Sequence, residues 1–575
     1  MKSIRMAQFL LPFAVVAAVT LPVRAQEAVL SDQILPGDTY LHFTVKSVED
    51  AKRQFVESPF GQLINDPAMD EFRAELERAF AGRLQEGFAK VEDQLGVPVE
   101  ELLQIPSGEV SVSIAGAGNH VGLVIRIDYG DSESQVMALM DLATEALSAV
   151  TELNQVVDEV DGTEITMYEV VEDVPTPLIK EFGWFTRDNH LVISSSRNVM
   201  ESLIANWAGD SSETLANNET YNYVVSRLES EPGAAASILY ADPIGLAQKL
   251  VQTSSFGQGQ MIAGMVVSQL PMLGFNQLKA VGAVFEDASG DFQMTQRAMV
   301  YAEQPPAGLM RMFMLEPVSP VPPEWVKEDA VMYTAVHWNI GEAYSAIESL
   351  VDGFQGTGTL DALLKQASAA GPGVDIKSDL IEQLTGELHM AGGGIDAENA
   401  TNEMLFAIGV QDASTFGDLL ARVSNDPQFP GSIREFREFT LYEIAEAGPP
   451  IGFTVAHGYF LVAIGGTVME QVLRNDDDIR PLAETEEFQR ISQHFPSEVV
   501  SVSFSRPAEQ YRSMYELIQS GNAAEQFPGM DEVFAEIDFS TLPPFEVISQ
   551  YLTPAGSFSV NDENGLISEA FSLKP

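Results

Sequence analysis

The chain repeats itself. Ser107-Gly108-Glu109-Val110 returns as Thr385-Gly386-Glu387-Leu388, and Thr166-Met167-Tyr168-Glu169-Val170 as Thr440-Leu441-Tyr442-Glu443-Ile444. Val199-Met200-Glu201 returns as Val468-Met469-Glu470, and Ser237 to Pro243 (SILYADP) as Ser501 to Pro507 (SVSFSRP). The four matches keep their order. Their spacing shrinks gradually, from 278 residues between Ser107 and Thr385 to 264 between Ser237 and Ser501. Loops of slightly different length produce such a drift, whereas chance would hardly supply four ordered matches. A duplicated chain must use a fold that half of it can make.

The two halves are expected at 35–302 and 329–575. Between them, 303–328 holds Pro305, Pro306, Pro317, Pro320, Pro322 and Pro323. Prolines lack the backbone N–H that ladders need, so this stretch reads as a linker. Residues 26–34 read as an N-terminal leader ahead of the first half.

Within each half the pattern is strand, helix, strand, strand, helix. Tyr40 to Val45 alternates as a strand does, and Ser47 with Asp50 caps the helix that follows. Asp66-Pro67 opens another helix, in which Phe72, Leu76, Phe80, Leu84, Phe88, Val91 and Leu95 form one apolar stripe. The second half shows no clear counterpart of that stripe. Val121 to Tyr129 reads as a strand, with Asp131 and Ser132 capping the next helix. Met404 to Val410, then Asp412 and Ser414, repeat the unit. His190 to Ser194 and Phe460 to Ile464 are apolar strands, each leading into the helix that carries Val-Met-Glu. Gly290-Asp291 and Asn564-Gly565 mark hairpin turns late in each half. Hairpins mixed with helices predict an α+β fold, each half an antiparallel sheet packed with helices.

The N-terminus reads as a secretory signal. Lys2 and Arg5 precede a mostly apolar run from Met6 to Leu21, and Val23 and Ala25 offer small residues for cleavage after Ala25. That run is short for a bilayer-spanning helix. The chain carries 31 Lys and Arg against 84 Asp and Glu, a formal charge of −53, which loss of residues 1–25 makes more negative by three. Such a surface repels nucleic acids and anionic membranes and attracts divalent cations loosely. With 45% hydrophobic residues the chain has material for large cores, so it is no disordered acidic tail. Cysteine is absent, which excludes a disulfide scaffold, a thiolate metal site, a cysteine nucleophile and a lipoprotein anchor. No later segment is long and apolar enough to span a membrane. The expectation is a soluble mature chain, periplasmic or secreted.

Leu35-Pro36-Gly37-Asp38-Thr39 before a strand, then Phe60-Gly61-Gln62-Leu63 and Asp66-Pro67, then Leu102 and Leu103 before the Gly108-Glu109-Val110 strand, form a pattern. It resembles an uncharacterised family of large exported bacterial proteins of planctomycete type, known only as a domain of unknown function. The resemblance covers most of the first half and, more weakly, the second. It implies an exported, duplicated α+β protein and carries over no catalytic residue.

Few residues are spaced for chemistry. The histidines, His42, His120, His190, His337, His389, His457 and His494, show no i, i+4 pair of the kind a helical zinc site uses. When the halves are aligned, His389 falls opposite Ser111 and His42 opposite Tyr333. Gly116-Ala117-Gly118 and Gly356-Thr357-Gly358 lack the third glycine of a dinucleotide loop and read as turns. There is no Gly-Lys pair for a P-loop and no Gly-x-Ser-x-Gly elbow. Asp158 to Asp161 and Asp476-Asp477-Asp478 lack the spacing of a calcium loop. Glu109 and Glu387 stand out because both halves place them after the same glycine, as do Glu169 and Glu443 after the same tyrosine. Their ordinary reading is a strand residue on a solvated face; their functional reading is an acid, base or ligand used twice. The uncharged stretch Met261 to Phe275 reads as a helix packed under the sheet, with a partner-binding or membrane-surface segment as the alternative.

No catalytic, cofactor or metal residue is therefore assigned. The reading is a non-enzymatic exported protein that binds an unknown envelope or extracellular protein or a small ligand. A carrier of an apolar ligand is the alternative, and a hydrolase using Glu109 or Glu387 a third.

Overall fold

The computed structural model describes residues 29–79, 105–171, 180–209, 211–253, 258–287, 290–370, 373–396, 401–427, 429–444, 450–465, 468–474, 479–519 and 537–574. The expected signal peptide and Asp476-Asp477-Asp478 lie outside them. So does the expected apolar stripe beyond residue 79; residues 70–79 are helical. The chain divides into two compact units. The first is Met1–Ser268, Leu278–Asp287 and Gln296–Tyr301; the second is Gln269–Gln277, Ala288–Thr295 and Ala302–Pro575.

The first unit is built on β1 (Thr39–Val45), β2 (Val110–Ala117), β3 (His120–Asp128), β4 (Leu153–Val160), β5 (Thr163–Val170), β6 (Glu181–Arg187), β7 (His190–Ser194), β8 (Ala235–Ala241) and β9 (Leu278–Glu286). All pair antiparallel, in the order β9-β8-β1-β2-β3-β7-β6-β5-β4. A further strand, β10 (Phe292–Ala302), lies beside β9, with Gln296–Tyr301 in this unit. Central β7 is buried on both faces, which is why His190 to Ser194 reads as an unbroken apolar run.

The second unit contains β11 (Leu315–Glu316), β12 (Met332–Trp338), β13 (Leu384–Asp396), β14 (Thr401–Val410), β15 (Ser432–Phe436), β16 (Phe439–Ile444), β17 (Ile451–Ala456), β18 (Tyr459–Ile464), β19 (Ser501–Ser505), β20 (Ala555–Asp562) and β21 (Gly565–Leu573). Its order is β21-β20-β19-β12-β13-β14-β18-β17-β16-β15, with β11 pairing to the end of β12. Strand for strand this is the order of the first unit, with β12 in the place of β1. The register agrees as well. His42 lies opposite Ser113 and Tyr240, and Tyr333 opposite Ala391 and Phe504. The fold is α+β.

The repeated motifs are framework. The tyrosine of Thr-Met-Tyr-Glu-Val, Tyr168, stacks on its cross-strand neighbour Phe182 at 5.6 Å, and Tyr442 stacks on Phe453 at 5.3 Å. The prolines that end SILYADP and SVSFSRP open the helices Pro243–Thr253 and Pro507–Gln519, where a missing N–H costs nothing. Ser47 caps Val48–Glu57 by accepting from the amide of Asp50 at 3.1 Å, and Asp412 caps Ala413–Ser424 through the amide of Thr415 at 2.6 Å.

Four sequence expectations need correction. Residues 303–328 are no free linker: they belong to the second unit, with a 3-10 turn at Gly308–Phe313, and Val318, Trp325 and Val326 are buried in its core. The prolines bracket these short elements instead of occupying them. Residues 26–34 are no simple leader, because Ser31–Ile34 is a helical turn with Ser31 and Ile34 buried. Between β12 and β13, where no counterpart of the long first-half helix was read, run the helices Ile340–Gln355 and Thr359–Ala370. Finally, Met261 to Phe275 is not packed under a sheet throughout. Helix Gln258–Gln269 leaves Met265 62% and Val266 59% exposed, and Met272 beyond it is exposed too.

Candidate functional site

Glu109 and Glu387 occupy matching strand positions, and the two units surround them differently. Glu109, at the entry to β2, is 4% exposed. A Cβ at Gly108 before it would lie 2.0 Å from Asp128 Oδ2, so the Asp128 side chain would have to shift to admit one. The Glu109 carboxylate accepts from the Ser31 amide at 2.8 Å, from Thr44 Oγ1 at 2.7 Å, from the Ser31 hydroxyl and from the Arg126 guanidinium. Arg126 also donates to the carbonyl of Val29 and lies over the Trp207 ring, 5.9 Å from its centre.

The segment Val29–Leu35 is thus a strap across this ion pair. Asn206 Nδ2 donates to the carbonyl of Ile34 at 3.2 Å, and the Leu215 amide donates to that of Leu35 at 2.8 Å. Isolated buried charges are very costly, so the strap's donors are what allow Glu109 to stay inside.

Around this pair Asp32, His42, His190 and Tyr221 are pushed toward neutrality. Burial, then repulsion from Glu109, raises the Asp32 carboxyl, which accepts from Tyr221 OH at 3.3 Å. Burial lowers His42 to about 4; its Nδ1 meets Ser113 Oγ at 3.0 Å. His190 is lowered by burial and by the charge of Arg126. Burial also holds the Tyr221 phenol up. Glu109 has no free face for a substrate.

In the second unit Glu387 sits in β13 with 35% of its side chain exposed. Gly386 before it has φ 92°, and a Cβ there would lie 2.0 Å from the Trp338 carbonyl oxygen, so only glycine fits. Glu387 Oε1 meets His389 Nε2 at 2.9 Å and accepts from Tyr459 OH at 3.3 Å. His389 is buried, and its Nδ1 meets Tyr333 OH at 2.9 Å. The consistent tautomer has Tyr333 donating to Nδ1 and Nε2–H donating to the carboxylate. His389 holds the Glu387 carboxyl below the usual carboxylate range. Burial, then the Glu387 charge, pushes the Tyr459 phenol up to about 12. The open end of this chain of bonds is the carboxylate, and the closed end is the buried Tyr333 phenol. It can hold a negative charge at the surface.

The other sequence candidates are separate from both centres. Glu169 is exposed on β5. Glu443 is bound by Arg434 Nη2 at 2.8 Å, which also holds Glu470, a surface ion-pair arrangement. Asp158 pairs with Arg197. Gly116 to Gly118 leads into the β2–β3 turn, and Gly356 ends the helix Ile340–Gln355. His337 bonds main-chain carbonyls of Pro317 and Thr385, and His457 lies in the β17–β18 turn. Among the described residues no group of three or more His, Asp or Glu side chains is arranged to hold a metal ion. Sequence reasoning missed Ser31, Thr44, Arg126, Tyr333 and Tyr459. Arg126 carried a signal: it is the one base in the apolar strand His120–Asp128.

Among the described residues no helix is long and apolar enough to cross a membrane. No family model and no curated protein matches the chain. Among solved structures, crystal form I of TP0453 matches at 12% identity, covering 45% of this chain and 79% of that one, with a TM-score of 0.20.

Proposed function

We propose that this is an exported, non-enzymatic binding protein, made of two copies of one ancestral α+β unit, that engages an envelope or extracellular protein through an apolar surface. The observation that carries the reading is the helix pair Pro243–Thr253 and Gln258–Gln269. From Leu250 to Ser268 the sequence has no charged residue, in a chain of net charge −53. Leu250 is 43% exposed there, Met265 62% and Val266 59%. Exposed apolar side chains on an uncharged stretch of an otherwise highly charged protein support an interaction site, and methionine adapts to varied partners. The common strand order supports the duplication. The positive, apolar and small-residue pattern of the first 25 residues supports export, and so does the resemblance to the exported bacterial family. The sealing of Glu109 supports a role without acid–base chemistry at that position.

The test is a cross-linked pull-down from native envelope extract, comparing the wild-type chain with Met265→Glu/Val266→Glu. Both side chains are exposed, so folding should survive. The reading expects one reproducible partner that the double variant loses. Equal capture by both chains would sink it.

A further inference from the structure

Bases in this chain are outnumbered, 31 against 84 acids, so nearly every one has carboxylates to choose from. Arg490 and Lys574 have Asp291 beside them. Among the described residues neither forms an ion pair. Arg490 Nη2 donates to the carbonyl of Lys574 at 3.2 Å, and Lys574 Nζ donates to that of Gly290 at 2.8 Å. Both side chains line a cavity of about 270 Å³ in the second unit, together with Gln493, His494, Asp291 and Leu573. The His494 ring is held by Phe292 at 4.8 Å and Phe571 at 5.6 Å, and its buried Nε2 has no hydrogen-bond partner.

We infer that this cavity binds a small free oxyanion or carboxylate. The guanidinium of Arg490 offers a planar fork and Lys574 a point charge; these are the groups that recognise phosphate, sulfate and carboxylate oxygens. Asp291 is the single acid in the lining, so the local balance is positive. Size limits the occupant, since pockets for drug-sized ligands begin near roughly 300 Å³. A small free anion fits better than an anionic membrane, which the overall charge repels.

Isothermal titration of the full chain with inorganic phosphate, sulfate and malonate tests this. One saturable site is expected for at least one of the three. Arg490→Gln/Lys574→Gln should weaken it roughly tenfold or more, from the loss of two charge-assisted contacts. Arg512→Gln, outside the cavity, should leave it unchanged. Arg490 and Lys574 are exposed, so an unaltered thermal midpoint is expected to show that the double variant still folds. Absence of saturable binding for all three anions would overturn the inference, and so would equal affinity in the double variant. Neither outcome bears on the Met265 surface, whose variants are read by capture of a protein.

Discussion

Two acids at one strand position live in opposite surroundings. Glu109 is sealed by an arginine, a threonine and a strap, whereas Glu387 is open at the surface on a histidine and a tyrosine. The register shows how each partner differs. Arg126 lies opposite Ser111, and Ala407 opposite His389, so the arginine's place is taken by alanine. Thr44 lies opposite Ser111 and Ala335 opposite His389, so the threonine's place is also alanine. The straps match through the bridges Pro36 to Thr214 and Lys327 to Pro481. Counting back from them sets Ser31 against Pro322, which has neither hydroxyl nor N–H. With all these donors gone a buried carboxylate would cost too much, and Glu387 is indeed half-exposed. His389 and Tyr459 occupy the places of Ser111 and His190 and satisfy it there. A sheet of one topology therefore tolerates either solution, provided donors and burial change together.

The sharpest way to break this comparison is to remove one charge of the sealed pair. Arg126→Met leaves the Glu109 carboxylate buried with the strap and Thr44 alone. Breaking a buried pair in this way costs about 3–5 kcal/mol, a large part of a domain's stability of about 5–15 kcal/mol. Denaturant unfolding followed by hydrogen exchange should place the loss in the first unit.

A milder change imports the second unit's strap. Ser31 is the first residue of its helical turn, where proline fits the backbone. Ser31→Pro should therefore remove only the two donors to Glu109, costing about 3 kcal/mol. A cost near zero would mean that the strap does not hold the carboxylate.

A third prediction uses pH. His42, lowered to about 4 by burial, stays neutral when the unfolded chain begins to take up a proton near 6.5. Its contribution is present at neutral pH and is lost as pH falls from about 6.5 toward 4, by about 2 kcal/mol at pH 5. Asp32, raised in the fold, works in the opposite sense just above its ordinary value. His42→Gln should reduce the drop between pH 7 and pH 5, leaving the part that His190, also lowered, contributes. The second unit carries Tyr333 at the matching place and should lack this component.

Much of the framework was legible in the sequence because it rests on local signals. Tyr168 and Tyr442 sit in alternating strands, Ser47 and Asp412 at helix starts, and Pro243 and Pro507 at first turns. The four repeats also gave the alignment that sets His42 against Tyr333. The sealed centre was not legible. Ser31 and Glu109 are 78 residues apart, and their contact depends on how the strap crosses the sheet. Prolines 317 to 323 looked like a linker because their composition signals a break in regular structure. What it could not signal was Trp325, buried against His389 and Tyr459. The exposed face at Met265 was misread because an uncharged run looks the same whether it is buried or awaiting a partner.

The central claim is that one position is structural in the first unit and dispensable to the fold in the second. Glu109→Gln and Glu387→Gln, compared by hydrogen-exchange mass spectrometry under identical conditions, test it directly. Glu109→Gln should raise exchange across Val29–Leu35, β1, β2 and β3. Glu387→Gln, half-exposed, should cost under about 1 kcal/mol and leave β12, β13 and β14 protected. Equal effects in the two units, or a larger effect from Glu387→Gln, would contradict the account.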